Sequence, residues 1–172
     1  SGLGDADFDE DGLSDLSEFG LGTEPDNDDT DDDGLSDGDE ISEYETDPKS
    51  NDSDNDGITD GNELSDDNGF VTLPNNADTD SDGIKDGEEI ETHLTDPLEE
   101  DTDGDGVTDD LDQCPNTPTG ETVDANGCSD SQTDTDGDGV LDQSDTCPNT
   151  PSEETVDANG CSDSQKDTDG DG

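Results

Sequence analysis

The chain has 172 residues, 58 acidic against three basic, for a formal charge of −55; only 19% are hydrophobic, with no Trp or Met. Ordering one residue costs about 1–2 kcal/mol of backbone entropy, and so few apolar side chains cannot offset that by burial, which excludes a self-sufficient hydrophobic core. Phosphate would be repelled, which excludes nucleic acid as a direct partner, no apolar run is long enough for a transmembrane segment, and hard cations are the partners this charge requires.

The predicted elements are repeated loops. The pattern Asp-x-Asp-x-Asp-Gly-apolar-x-Asp-x-x-(Glu/Asp) occurs six times. Its candidate metal ligands are Asp7, Asp9, Asp11, Leu13, Asp15 and Glu18 in the first loop, then Asp29, Asp31, Asp33, Leu35, Asp37 and Glu40 in the second. The third has Asp52, Asp54, Asp56, Ile58, Asp60 and Glu63, and the fourth Asp78, Asp80, Asp82, Ile84, Asp86 and Glu89. The fifth has Asp101, Asp103, Asp105, Val107, Asp109 and Asp112, and the sixth Asp134, Asp136, Asp138, Val140, Asp142 and Asp145. A seventh begins at Asp167, Asp169 and Asp171, and the chain stops inside it, so it reads as a piece of a longer protein.

The spacing has a chemical reason. Calcium takes six to eight oxygen ligands in flexible geometry, and carboxylates at positions 1, 3 and 5 converge when the chain curls around the ion. Glycine at position 6 permits the sharp turn. The residue at position 7 offers its backbone carbonyl, position 9 binds directly or through water, and a Glu at position 12 reaches back. Six copies sharing both the glycine and the apolar position 7 exceed what an Asp-rich composition yields by chance. Magnesium, with its strict octahedral geometry, fits less well. One ion per complete loop gives six, and surplus carboxylates leave a second ion in some loops open.

After each of the first four loops a one- or two-turn helix is expected. Ile41 and Tyr44, and Ile90 and Leu94, fall on one helical face. Such helices are too short to persist alone. The expected core is a set of small clusters in which Phe19, Ile41, Leu64 and Ile90 at position 13 meet the position 7 side chains. A Thr-x-Pro element follows at Thr23, Thr46, Thr72 and Thr95, six residues before the next loop. Its Pro fixes φ and ends the helix, so a turn is the preferred reading over a further ligand from its middle residue. An insertion, Asp66 to Val71, is expected to form a local loop or short strand.

The domain division expected is 1–100, four cysteine-free repeats, and 101–172, two longer cysteine-containing repeats plus the truncated seventh. The spacing of Cys114 to Cys128 recurs as Cys147 to Cys161. Pairing within each unit is the simplest of the three arrangements, cross-pairing of Cys128 with Cys147 being the competitor. Zinc is disfavoured, because the one histidine, His93, lies outside these units. Disulfides imply an oxidising compartment: extracellular, cell-surface or periplasmic.

The loops differ from EF-hands. Their apolar residue is at position 7 rather than 8, and the polar, Pro-containing stretches before them leave no entering helix. The run Asp101 to Pro115, its near copy Asp134 to Pro148, and the stretches Thr122 to Cys128 and Thr155 to Cys161 resemble the thrombospondin type 3 repeat family. They are similar to its bacterial form, which occurs beside outer-membrane protein A-like domains and in secreted adhesins and hydrolases. The first four copies resemble another bacterial variant, Asp-x-Asp-x-Asp-Gly-(Leu/Ile)-x-Asp-Gly-x-Glu. The resemblance implies a mostly irregular, calcium-stabilised repeat array with little regular secondary structure, acting as a stalk or spacer. Animal members link cysteines between neighbouring repeats in a pattern this chain does not follow.

Repeats of this size cannot bury a face alone, so neighbours must stack, and an elongated rod with very short helices after the loops is expected. The expected function is a calcium-binding stalk between flanking domains of a bacterial surface or secreted protein. The alternative is an adhesion module that holds a protein or polysaccharide partner through calcium-ordered surfaces. No nucleophile–base pair or phosphate-binding loop stands out, so an enzyme is not expected.

Overall fold

The computed structural model describes residues 6–65 and 68–166. Asp66 and Asp67 of the insertion, and the seventh loop from Asp167, lie outside the described residues. The chain divides into two compact units, Ser1–Glu100 and Asp101–Gly172. Among the described residues there are a few short helices, two pairs of isolated β-bridge residues and no strand; the rest is turns and irregular backbone.

In the first unit each loop passes directly into a helix. The residue at position 8 is extended and serves as N-cap: Ser14 accepts from the Ser17 N–H at 3.3 Å, and Ser36 from the Asp39 N–H at 3.2 Å. Position 9 is then an Asp in the first turn, where the helix dipole favours negative charge. The helices are α1 (Asp15–Leu21), α2 (Asp37–Asp39), α3 (Asp60–Glu63) and α4 (Asp86–Glu88). α2 and α4 widen into π-helical turns, Glu40–Tyr44 and Glu89–His93, which end on left-handed residues, Glu45 at φ 60° and Leu94 at φ 60°. The insertion continues through a turn with Gly69 at φ 92°, without a strand among its described residues.

The apolar core is smaller than the sequence pattern predicts. Among the described residues only Ile58 and Ile84, both at position 7, are buried hydrophobics, 8% and 7% exposed. Phe19 is 75% exposed and Ile41 40%, so these position 13 residues form no buried cluster with position 7. Leu94, expected on one helical face with Ile90, is 72% exposed. The reason is the preceding residue. Glu18, Glu40, Glu63 and Glu89 at position 12 are fully buried, and one step along a helix turns the next side chain by about 100°. The interior of this unit is acidic.

Consecutive loops of the first unit stack through glycine. Position 10 is Gly38, Gly61 and Gly87 in the second, third and fourth loops. A Cβ on any of them would overlap the backbone carbonyl of Asp11, Asp33 or Asp56, the position 5 residue of the loop before. Long-range ties reinforce the contact: Lys49 Nζ donates to the Leu21 carbonyl at 2.8 Å, and Asn75 Nδ2 to the Tyr44 carbonyl at 2.9 Å.

In the second unit each loop is followed by a disulfide-closed insert. Cys114 pairs with Cys128 and Cys147 with Cys161, the within-unit arrangement. Each insert folds back through one antiparallel bridge, Val123 to Ser129 and Val156 to Ser162. The Thr117 hydroxyl donates within a cluster formed by the Gly127 carbonyl and Gln132 Oε1, both at 2.7 Å, and Thr150 repeats this with Gly160 and Gln165. A short helix, α5 (Asp163–Lys166), follows the second insert.

Candidate metal centres

One hydrogen-bond scheme recurs in all six loops. The position 6 glycine N–H donates to the position 1 carboxylate, at 2.8 Å from Gly139 to Asp134 and 2.9 Å from Gly34 to Asp29. The position 7 N–H donates to the position 5 carboxylate at 2.7–2.8 Å, as from Leu35 to Asp33 and Val140 to Asp138. The position 2 N–H donates to the position 9 carboxylate, as from Thr30 to Asp37 at 2.8 Å and Thr102 to Asp109 at 3.1 Å. The glycines at position 6 have φ between 93° and 110°, a region that L side chains avoid.

This framework gathers the acids. Carboxylate oxygens of Asp7, Asp9 and Asp11 lie within 4.8 Å of one another, as do those of Asp29, Asp31 and Asp33, and of Asp52, Asp54 and Asp56. Two further groups join consecutive loops on the same criterion: Asp33, Glu40 and Asp60, and Asp56, Glu63 and Asp86. The clusters contain buried oxygens with no hydrogen-bond partner: both of Glu18, both of Asp31, and Oε2 of Glu40, Glu63 and Glu89. Orphaned buried acceptors converging on one point need a cation or protons.

The electrostatics agree. Burial pushes the Glu40, Glu63 and Glu89 carboxyls up to about 8, a Thr hydroxyl opposing and neighbouring Asp charges adding. Burial and then the charges of Asp9 and Asp11 push Glu18 up to about 7. Asp31, Asp54 and Asp80 at position 3 rise to about 6, burial again the largest cause. An all-oxygen, mostly carboxylate donor set with this excess of negative charge fits a hard divalent cation such as calcium.

In the second unit the shorter Asp at position 12 is reached from outside. Asp112 Oδ1 accepts from the Cys114 N–H at 2.7 Å, and Asp145 Oδ1 from Cys147 at 2.8 Å. The insert closes over them, for a Cβ on Gly127 or Gly160 would overlap these carboxylates. Position 3 is tied to the insert as well, Asp103 accepting from the Thr117 N–H and Asp136 from Thr150, both at 2.6 Å.

Three features carry the sites beyond the expected ligands. The Thr of Thr-x-Pro is buried in all four copies, and in three its hydroxyl donates to the position 12 Glu: Thr46 to Glu40 at 3.1 Å, Thr72 to Glu63 at 3.0 Å and Thr95 to Glu89 at 3.1 Å; Thr23 Oγ1 makes no such bond. The turn expected at Pro is also present, with Asn27 N–H donating to the Glu24 carbonyl and Asn76 to Leu73, both at 2.9 Å. The middle residue points its N–H at position 2 of the next loop, as Asp47 to Ser53 Oγ at 2.8 Å. Position 4 is left-handed as well, from Glu10 at φ 66° to Ser81 at φ 70°. The sequence signals it where Gly104 and Gly137 occupy that place.

Comparison with known proteins follows the same division. The bacterial TSP3 repeat model matches residues 29–51, 52–66 and 78–99, and the thrombospondin type 3 repeat model matches residues 96–121 and 124–155. No curated protein matched the chain. Among solved structures, a "Biofilm associated protein - B domain" is 44% identical over 26% of this chain and 11% of that one, with a TM-score of 0.25. A "Biofilm associated protein - BSP domain" is 46% identical over 24% of this chain and 7% of that one, with a TM-score of 0.24. Between them the two repeat models take in most of the residues, and the chain belongs to the thrombospondin type 3 repeat family, with three stretches between 29 and 99 in the bacterial form.

Proposed function

We propose that the chain binds calcium in each complete loop, and that the ions hold it folded as a stiff spacer in a bacterial surface or secreted protein. The observation that carries this reading is the set of four fully buried position 12 glutamates, each with carboxylate oxygen left without a partner among aspartates. A protein interior rejects an unpaired carboxylate unless a cation or a proton accompanies it. In this reading positions 1, 3 and 5 and the position 7 carbonyl hold the loop's ion, and position 12 closes the site. Each ion offsets repulsion that would otherwise drive the loop open.

Two disulfides favour an oxidising location outside the cytoplasm. Extracellular modules bind calcium at about 10⁻⁴–10⁻³ M, so the spacer's stiffness would follow the calcium of the medium. Its partners are then the domains it separates. No residue is assigned a catalytic role, and among the described residues no helix is long and apolar enough to cross a membrane.

Small-angle scattering and limited proteolysis, with and without calcium, test the reading. The expected result is an expanded, rapidly cut chain in excess chelator and a well-ordered, resistant one in millimolar calcium. One protease-resistant state in chelator, or an expanded chain in calcium, would overturn it.

A further inference from the structure

The position 9 aspartate has a double placement. Within its own loop it is held by position 2: Asp60 Oδ1 accepts from the Ser53 N–H at 2.8 Å. Its second oxygen, Oδ2, is buried with no hydrogen-bond partner, on a residue with no solvent exposure. That residue's carboxylate meets Asp33 and Glu40 of the preceding loop, with oxygens within 4.8 Å of one another. Glu40 is also fully buried, and its Oε2 lacks a partner. The next junction gathers Asp56, Glu63 and Asp86 in the same way. There Asp56 Oδ2 and Glu63 Oε2 are the orphans, while Asp86 Oδ2 accepts from the Thr79 hydroxyl at 2.6 Å. At the first, the Gly38 N–H donates to Asp11 Oδ2 at 2.9 Å, which brings Asp37 to the same side of the first loop.

We propose that a divalent cation sits at the junction of consecutive loops, held by Asp33 and Glu40 from one loop and Asp60 from the next, and again by Asp56, Glu63 and Asp86. Position 9 thus serves the preceding loop. The glycine beside it makes this possible: Gly61 has no side chain to keep α3 from the Asp33 carbonyl, so Asp60 is delivered to a cluster 27 residues back in the chain. The cation then joins one repeat to the next as well as filling a loop. This inference rests on the calcium reading above and adds a direction to it.

The test is a calcium titration of the 172-residue chain followed by amide NMR, with the position 6 glycines as reporters of their loops. In the Asp60→Asn variant the amide side chain keeps an oxygen for the Ser53 N–H, so the third loop retains its internal bond. The expected result is a calcium midpoint at least tenfold higher for Gly34, with Gly57 within threefold of the parent. Asp86→Asn should move Gly57 in the same way and spare Gly83. Gly61→Ala, which removes no carboxylate, should raise the Gly34 midpoint by separating the loops. A shift confined to Gly57 in Asp60→Asn, equal shifts at both glycines, or no shift at either would overturn the junction site while leaving calcium binding intact. Glycine amides that ignore calcium in the parent chain would overturn the calcium reading itself.

Discussion

The buried glutamates at position 12 set the chemistry at the scale of single residues. Glu40, Glu63 and Glu89 rise to about 8 in the folded chain from an ordinary 4.5. Between those values the metal-free folded state holds more protons than the unfolded one, so its stability falls as pH rises through that window. In excess chelator the first unit should therefore resist protease better near pH 5 than near pH 8. With calcium present the protons are displaced, and binding at pH 7 should release protons, read by calorimetry in buffers of different ionisation heat. The Thr partners have their own test. Thr72→Val removes a hydrogen bond to a charged group and should cost about 1.5–3 kcal/mol in thermal unfolding at saturating calcium. The acids and the position 6 glycines are legible in sequence because ligand spacing is local. The Thr–Glu pairing is not, since its separation is six residues at Thr46 and Thr95 but nine at Thr72.

Among the elements, helices of three to seven residues exist because loop and cap fix their first turn. Their presence after the loops follows from Ser14 and Ser36 as caps and from the periodic apolar residues. Their orientation does not, because amphipathic spacing presumes that the buried face is apolar. Here a glutamate occupies that face, and Phe19 and Ile41 turn outward. The π-helical turn after α4 ends on Leu94, a non-glycine residue at φ 60° with an exposed side chain. A left-handed conformation costs an L residue about 1–2 kcal/mol, partly offset in glycine by its freer unfolded chain. Leu94→Gly should accordingly raise stability by up to about 1 kcal/mol in a denaturant titration at fixed calcium.

At the scale of the whole molecule the two units solve one problem differently. In the first unit Glu40 and Glu63 meet the Asp that opens the next loop's helix, and in the second a disulfide-closed insert covers the position 12 acids. Each disulfide closes 14 residues, and loops of that length contribute about 3 kcal/mol. Reduction should speed hydrogen exchange in residues 101–166 and leave 6–65, where no cysteine lies, unchanged. The cysteine pairing was readable from its repeated spacing. The glycine contact between loops was not, because position 10 supplies no ligand to the loop pattern and its neighbour is a backbone carbonyl in another repeat.

That carbonyl belongs to every amino acid alike. A junction made of a missing side chain on one partner and a main-chain oxygen on the other asks only for glycine at position 10, so a repeat that carries it, as the second, third and fourth do, can follow any other of the first unit. Gene duplication within the first unit needs no compensating mutation at the new boundary. Copying residues 29–51 in tandem should yield a chain that still folds in calcium and takes up additional ions in proportion. Length becomes a quantity that recombination can tune one repeat at a time.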